Sequence, residues 1–446
     1  MNLENSTQPQ AMNGGSPGRT PDCQSRPCRL WLLGCGLALV VGVWLVREPL
    51  RQWITQSATL SNDAPTPDLV EDMIEHAADP RAALLAAWHS GKIVHREVAI
   101  RSLSRILPVG QALPVEFDSL LLAAAFDPDM NVRESALGIL RERNHPALPA
   151  LAAKMLVDAD PQVRVLGLEQ LKPVAPAIGV PLVMPLLEDS DPMIVALSLK
   201  LLENWSGEKF GVRLSDTAAF ENAQTGLQEY PADSYGKVRA GAERAKAWWG
   251  RHRGEFPAES QVVPAAALAA RSPVPAGDFQ LRTLDGRSVR LSDFRGKVVL
   301  VNFWTTWCTA CVSEMPELIA LQKEHDGQLV ILGVSLDFVP DEHGNIGGET
   351  AAGETPTGEV PRDGHAPTVA ALNRVRSQIA RTVKLRDINY PVLLDEKNEA
   401  GGRFNGGELP TTVIVDTHGN VCRRFVGTRS LPVFEAMIAE ALQAQP

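Results

Sequence analysis

Apolar and polar positions divide this chain into stretches with different periods. Leu30 to Val46 is apolar without a charge, with Arg26 and Arg29 before it and Arg47 and Arg51 after it. A helix over those residues rises ~1.5 Å per residue and reaches roughly 26 Å, slightly short of a ~30 Å hydrocarbon core. Snorkelling arginines and interfacial Trp31, Trp44 and Trp53 offset the shortfall. The run predicts a transmembrane anchor at 30–46. The polar tail at 1–29 is too long for a signal peptide and no small-residue cleavage site follows, so the span reads as uncleaved, with the tail cytoplasmic. Cys35 follows Leu32, Leu33 and Gly34 in a loose lipoprotein-like box, but apolar residues continue well beyond it, which argues against lipidation. Residues 47–66 are polar with prolines and read as a linker.

Beyond the linker the pattern becomes helical and repeats. Asp129, Asp160 and Asp191 recur every 31 residues, each followed by Val132, Val163 or Ile194, then Leu137, Leu168 or Leu199, then Leu140, Leu171 or Leu202. Leu120, Leu151 and Leu182 match upstream, and a weaker copy runs through Val98, Leu103 and Ile106, offset by 34. Apolar spacings of five then three mark one helix face, and the aspartate before them suits a helix cap. Each unit is therefore expected to be a helix pair. The pattern Asp129, Val132, Arg133, Ala136, Leu137, Leu140 resembles HEAT repeats over 67–206, which implies an all-α solenoid that positions protein partners. An ordinary helical bundle is the alternative, and three equally spaced copies speak against it. Residues 207–256 read as a helical cap region around a helix at Lys237–Arg253 with Trp248 and Trp249, and 257–275 as a semi-rigid linker with Pro257, Pro264, Pro273 and Pro275.

The remaining chain, 276–446, alternates strands and helices. Asp278 to Leu284, Lys297 to Trp304, Leu329 to Leu336, Tyr390 to Leu394, Thr411 to Val415 and Asn420 to Val426 read as strands. Cys308 to Glu324, Ala366 to Leu385 and Leu431 to Leu442 read as helices. A Gly-, Thr- and Glu-rich stretch from Pro340 to Pro367 is too polar to pack.

The net charge of −10 argues against a nucleic-acid role. Of six cysteines, Cys23, Cys28 and Cys35 lie in or before the apolar run, so structural disulfides do not staple the rest. Cys308 and Cys311 alone stand at redox spacing, where a strand gives way to a helix. A helix start holds a cysteine as thiolate, with its pKa lowered from ~8.5 toward ~7 or below, and a second cysteine three residues on can resolve a mixed disulfide. Zinc is the competing use of two thiolates, but only Cys422 follows, and His325, His343, His365 and His418 fall at no ligand spacing, so no metal is expected. Cys422 itself reads as a buried structural thiol.

Over roughly 276–446 the chain resembles the TlpA/ResA-like membrane-anchored thioredoxins. The resemblance rests on Leu291, Phe294, Gly296, Lys297 and Val298, the run Val301 to Cys311, Glu314 and Pro316, Val334-Ser335-Leu336-Asp337, and Leu409-Pro410-Thr411-Thr412. It implies a thioredoxin-like α/β fold, with Cys308 as attacking thiolate and Cys311 as resolving thiol. It implies also that Pro410 is cis, exposing the Leu409 backbone so that a substrate chain can add as a short strand. Trp307, Leu409 and Pro410 are then the substrate-binding residues. Glu314 matches an acid that takes protons from the thiols, with a first-turn glutamate complementing the helix dipole as the other reading. The chain departs from the family at Thr309-Ala310, where proline is usual in second place, and carries Asn302 where ordinary thioredoxins have aspartate.

The expectation is a multidomain protein with an N-terminal transmembrane helix, a HEAT-like solenoid and a C-terminal thioredoxin-like domain. It is an enzyme without cofactor, a thiol-disulfide oxidoreductase acting on protein disulfides outside the cytoplasm, for example in cytochrome c maturation. The partners are protein dithiols or disulfides, the membrane through a single span, and proteins held by the repeats. The arginine margin across the span is weak, so the periplasmic placement follows from function rather than charge. Two rivals stay in view. A non-enzymatic HEAT/thioredoxin docking scaffold would have no need of intact Cys308, Cys311 and Pro410. A peroxiredoxin would carry proline where this chain has Val301. The proline-rich linker predicts that 276–446 folds and acts alone.

Overall fold

A computed structural model of the protein describes residues 67–217, 220–221, 228–229, 231, 233–256, 273–325, 327–339, 346–347 and 369–443. The expected membrane span, the tail before it, the linker at 47–66 and most of 340–367 lie outside the described residues. Among the described residues, no helix is long and apolar enough to cross a membrane.

The first part is helical apart from one short antiparallel pair, Phe220–Glu221 with Gln228–Glu229: α1 Pro67–Glu75, α2 Pro80–Trp88, α3 Ile93–Ile106, α4 Val115–Ala124, α5 Met130–Glu142, α6 Leu148–Met155, α7 Pro161–Leu171, α8 Pro176–Val183, α9 Pro192–Ser206 and α10 Ser234–His252. The 31-residue sequence period is a structural period. Asp129, Asp160 and Asp191 are the N-caps of α5, α7 and α9, accepting the N–H two residues on at 2.9, 3.0 and 2.8 Å. Two residues earlier, Asp127, Asp158 and Asp189 each accept the N–H of the capping aspartate at 2.9 Å, so every repeat turns through an Asp-x-Asp loop. The loops are tied along the stack by Arg96 to Asp127 at 2.9 Å and Arg164 to Asp189 at 2.9 Å. The periodic Val, Ile and Leu positions of α5, α7 and α9 are at most 4% exposed, which makes them the core of this region. Each such leucine contributes about 1.5–3 kcal/mol of burial. Trp248 is buried as a packing residue, edge-on to Phe210 at 6.2 Å.

The second part is a seven-stranded sheet. Its strands are β1 Gln280–Thr283, β2 Ser288–Arg290, β3 Val298–Trp304, β4 Leu329–Ser335, β5 Val392–Leu394, β6 Thr411–Val415 and β7 Val421–Val426, in the order β2-β1-β5-β4-β3-β6-β7. β3, β4 and β5 run parallel, and the outer pairs are antiparallel. β3 is buried along its whole length, which is why it reads as a continuous apolar run. Its side chains alternate between two cores. Val298, Leu300 and Trp304 pack with residues of α11 (Thr309–Glu324), α12 (Val369–Leu385) and α14 (Leu431–Gln443). Val299, Val301 and Phe303 pack with Phe404 of α13 (Glu399–Phe404).

Strand β2 and helix α13 are absent from the sequence reading, each for a local reason. Ser288-Val289-Arg290 is three residues long and half exposed, too short to show a period. α13 contains Gly401-Gly402, poor helix formers. It exists because the Asp395 carboxylate takes the N–H groups of Glu399, Ala400 and Gly401 at 2.7, 2.9 and 2.8 Å.

The two parts meet along the edge strand β7. The Arg424 N–H donates to the Pro128 carbonyl at 2.8 Å, and its guanidinium reaches Asp129 at 3.1 Å and the carbonyls of Phe404 and Asn405 at 2.7 and 2.6 Å. Arg423 pairs with Asp158 at 3.0 Å and with Glu440. Arg429 pairs with Asp160 at 3.1 and 3.2 Å. Asn405 donates to Glu97 at 3.1 Å. Met130 of the repeats packs on one core of the sheet and Ile93 on the other. Across this face three arginines of one part are neutralised by the repeat aspartates of the other.

Candidate active site

Strand β3 ends at Trp304, and the chain crosses the end of the sheet before α11 begins. That crossing is pinned. Both oxygens of Asp337, just past β4, accept the Thr306 N–H at 3.0 and 3.1 Å, and the Thr306 hydroxyl donates to Asp337 at 2.6 Å. Ser335 donates to the same carboxylate at 2.8 Å, and Gln378 of α12 donates to the Thr306 hydroxyl at 2.8 Å. Burial pushes the Asp337 pKa up against these donors. The motif Val334-Ser335-Leu336-Asp337 was visible in the sequence, but its part in holding the loop before the cysteines was not.

Cys308 is the N-cap of α11, and its sulfur accepts the Cys311 N–H at 3.1 Å. The two cysteines form a disulfide. Cys308 is 8% exposed and Cys311 2%, while Trp307 beside them is 48% exposed. The Leu409–Pro410 bond is cis. Phe303 of β3 faces Thr411 of β6, so the residue following the cis-proline and the strand leading to the cysteines end side by side. The Pro410 carbonyl accepts the Gly427 N–H at 2.8 Å. Leu409 is partly buried and packs against the core that contains both cysteines.

Glu314, a turn into α11, is 1% exposed. Its Oε1 accepts the Arg429 N–H at 2.8 Å, and its Oε2 accepts from Asn302 Nδ2 at 3.3 Å. Asn302 donates also to the Thr412 hydroxyl at 3.2 Å, across the β3–β6 pair. Burial pushes Glu314 up to about 7, against the lowering effect of the Arg429 N–H, the Arg429 charge and Asn302, while Glu317 adds to the rise. The Tyr390 hydroxyl is raised by burial and by the Glu314 charge. A solvated first-turn glutamate would sit exposed, whereas Glu314 is enclosed.

That raised pKa has a measurable consequence for stability. Below pH 4.5, the ordinary value, the carboxyl is protonated in both states and its burial carries little ionisation cost. As pH rises through 7 the unfolded chain has already lost the proton that the folded chain still holds, so stability falls. The loss amounts to about 3 kcal/mol. Glu314→Gln should therefore unfold at higher urea than the parent at pH 8 and show little difference at pH 4. Equal differences at both pH values would mean that Glu314 does not titrate between them. Asp129, pushed up to about 6 by burial, contributes to both proteins alike.

The AhpC/TSA family profile matches residues 273–424. The chain is 29% identical over 153 residues to the thioredoxin-like protein YneN of Bacillus subtilis, covering 34% of this chain and 70% of that one. It is 28% identical over 162 residues to the thiol-disulfide oxidoreductase ResA of Geobacillus thermodenitrificans, covering 36% of this chain and 72% of the relative. Among solved structures it is similar to a thiol:disulfide interchange protein of the thioredoxin family from Chlorobium tepidum, at 25% identity and a TM-score of 0.29, over 39% of this chain and 99% of that one. The helical region before residue 273 lies outside the family match.

Proposed function

Proceeding from a C-terminal thioredoxin-like domain related to the ResA thiol-disulfide oxidoreductases, we propose that this protein is a membrane-anchored reductase of protein disulfides outside the cytoplasm. The observation that carries the reading is the Cys308–Cys311 disulfide at the start of α11, beside a cis Leu409–Pro410 bond and in front of the buried Glu314. In the reduced enzyme the Cys308 thiolate attacks one sulfur of a substrate disulfide, and the other sulfur leaves as a thiolate. The Cys311 thiol gives its proton to the Glu314 carboxylate, and the resulting thiolate attacks Cys308. The second substrate sulfur departs, two electrons have passed to the substrate, and the enzyme is left with the disulfide seen here.

Trp307 and the Leu409 backbone form the docking surface for an extended substrate segment. The apolar run at 30–46 supports the single span, and the 31-residue repeats support a HEAT-like scaffold that holds partners near the cysteines. Cytochrome c maturation is one process that needs such a reductase. The match to the AhpC/TSA profile favours one rival, a thiol peroxidase.

Insulin reduction by the full-length protein in detergent, with dithiothreitol as reductant, tests the reading alongside peroxide consumption and the potential of the Cys308–Cys311 pair. Catalysed insulin reduction and a potential near ~−270 mV are expected, whereas a value near ~−120 mV marks an oxidant. Peroxide turnover without insulin reduction would overturn the proposal in favour of the peroxidase.

A further inference from the structure

One of the two donors that hold Glu314 is itself anchored from the repeat region. The segment Gly427 to Arg429 joins β7 to α14 and touches both active elements: the Gly427 N–H donates to the Pro410 carbonyl and the Arg429 N–H to Glu314. The Arg429 guanidinium orders this segment, donating to the Gly427 and Thr428 carbonyls at 3.3 and 3.0 Å and lying 4.5 Å from the centre of the Phe425 ring. It is anchored in turn by both oxygens of Asp160 in the repeat region, at 3.1 and 3.2 Å. The two side chains are 7% and 1% exposed, so this fork-to-carboxylate pair is removed from water.

We propose that Asp160 is a positioning residue for the thiol–disulfide reaction: by clamping Arg429 it keeps the Arg429 N–H on Glu314 and so sets how readily that carboxyl takes the Cys311 proton. The inference rests on the reductase reading above. It makes the repeats part of the redox site as well as a scaffold, since a displacement of the Asp160 loop would alter proton transfer at the cysteines. Besides the two cysteines, the charged or titratable groups facing Glu314 are Arg429 from the β7–α14 segment, Glu317 from its own helix and Tyr390 ahead of β5. Asp160 reaches it only through Arg429.

Two variants break the clamp in different ways. Asp160→Asn keeps an oxygen to cap α7 through the Gln162 N–H but loses the charge that grips Arg429. Arg429→Met keeps the backbone N–H and the α7 cap and loses the guanidinium. Asp158→Asn is the control, because it loosens the neighbouring pair with Arg423, which does not touch Glu314. The readout is the infrared carboxyl band of the oxidised full-length protein that Glu314→Gln removes, followed across pH, together with the pH profile of insulin reduction.

In the parent the band should titrate near about 7. In Asp160→Asn and Arg429→Met its midpoint should move alkaline by roughly one pH unit, because a carboxylate that loses a donor holds its proton more tightly. Asp158→Asn should leave it in place. The direction is decisive: loss of the Asp160 charge alone would strengthen the Arg429 field and move the midpoint acid. An acid displacement, no displacement, or an equal one in Asp158→Asn overturns the proposal. If Asp160→Asn fails to fold, Asp160→Ser, which also caps α7 without a charge, takes its place, because Arg429→Met moves the midpoint alkaline through loss of its own charge. The titration needs no turnover, so an inert parent refutes the reductase reading while this link is still read from the band.

Discussion

Cys308→Ser is expected to abolish insulin reduction, by at least ~10³-fold, and to capture almost no partners, whereas Cys311→Ser should accumulate partners as mixed disulfides. The asymmetry follows from the start of α11. Cys308 caps the helix, receives the Cys311 N–H and is the more exposed of the two, so its thiolate is both stabilised and reachable. Cys311 is 2% exposed and can attack only a sulfur already on Cys308. Without it the first exchange proceeds and the second cannot. Non-reducing gels and mass spectrometry of the captured bands measure the outcome, and capture by Cys308→Ser instead would reverse the two roles.

Arg424→Met is expected to cost about 3–5 kcal/mol of stability, the range for stripping one partner from a buried ion pair. Arg424 has no exposed side-chain surface and Asp129 has 1%, and the same guanidinium satisfies the carbonyls of Phe404 and Asn405. Its removal takes the donor from the carbonyls of Phe404 and Asn405 and the counter-charge from Asp129, which keeps the Asn131 N–H. Asp129 is already pushed up to about 6 by burial, opposed chiefly by Arg424. Without the arginine its pKa rises further, so the deficit widens as pH rises through about 6, where the parent's carboxyl ionises and the variant's does not. Urea unfolding at pH 5 and pH 8 checks both points. The parent should unfold in one transition and Arg424→Met in two, as repeats and sheet lose their common anchor. Adding Asp129→Asn should recover part of the loss at pH 8. A change below about 0.5 kcal/mol would show that the contact carries no energy.

What the sequence made legible was whatever depends on neighbours along the chain. The buried run of β3, the helix after Cys308, the capping aspartates and the cis-proline motif each have a local signature. The 31-residue spacing even identified Asp129 and Asp160, but only as caps. Their second role, as counter-ions to Arg424 and Arg429, joins residues 295 and 269 positions apart, and no period or propensity reports such a pair. Arg423 and Arg424 stand adjacent in a strand, where alternate facing would normally leave one in water. Both are buried because the repeats cover that edge. Glu314 was ambiguous for the same reason: whether a first-turn glutamate is solvated or enclosed depends on Asn302 and Arg429, which come from other elements. The proline-rich composition before 276 suggested separable parts, because it reports stiffness and carries no information about what packs across it.

The Asp129–Arg424 pair also sets an order of events during synthesis. The aspartate leaves the ribosome 295 residues ahead of its arginine, an interval of roughly 15–60 s at ~5–20 residues per second. Throughout it the repeats must persist as a nascent intermediate whose acidic loops are still hydrated. Those carboxylates carry no burial cost until β7 arrives. Only when β7 arrives are they dehydrated and neutralised, at the moment when an open sheet edge would otherwise be free to pair with another chain. The acidic loops thus cover an edge that the finished sheet would otherwise leave open.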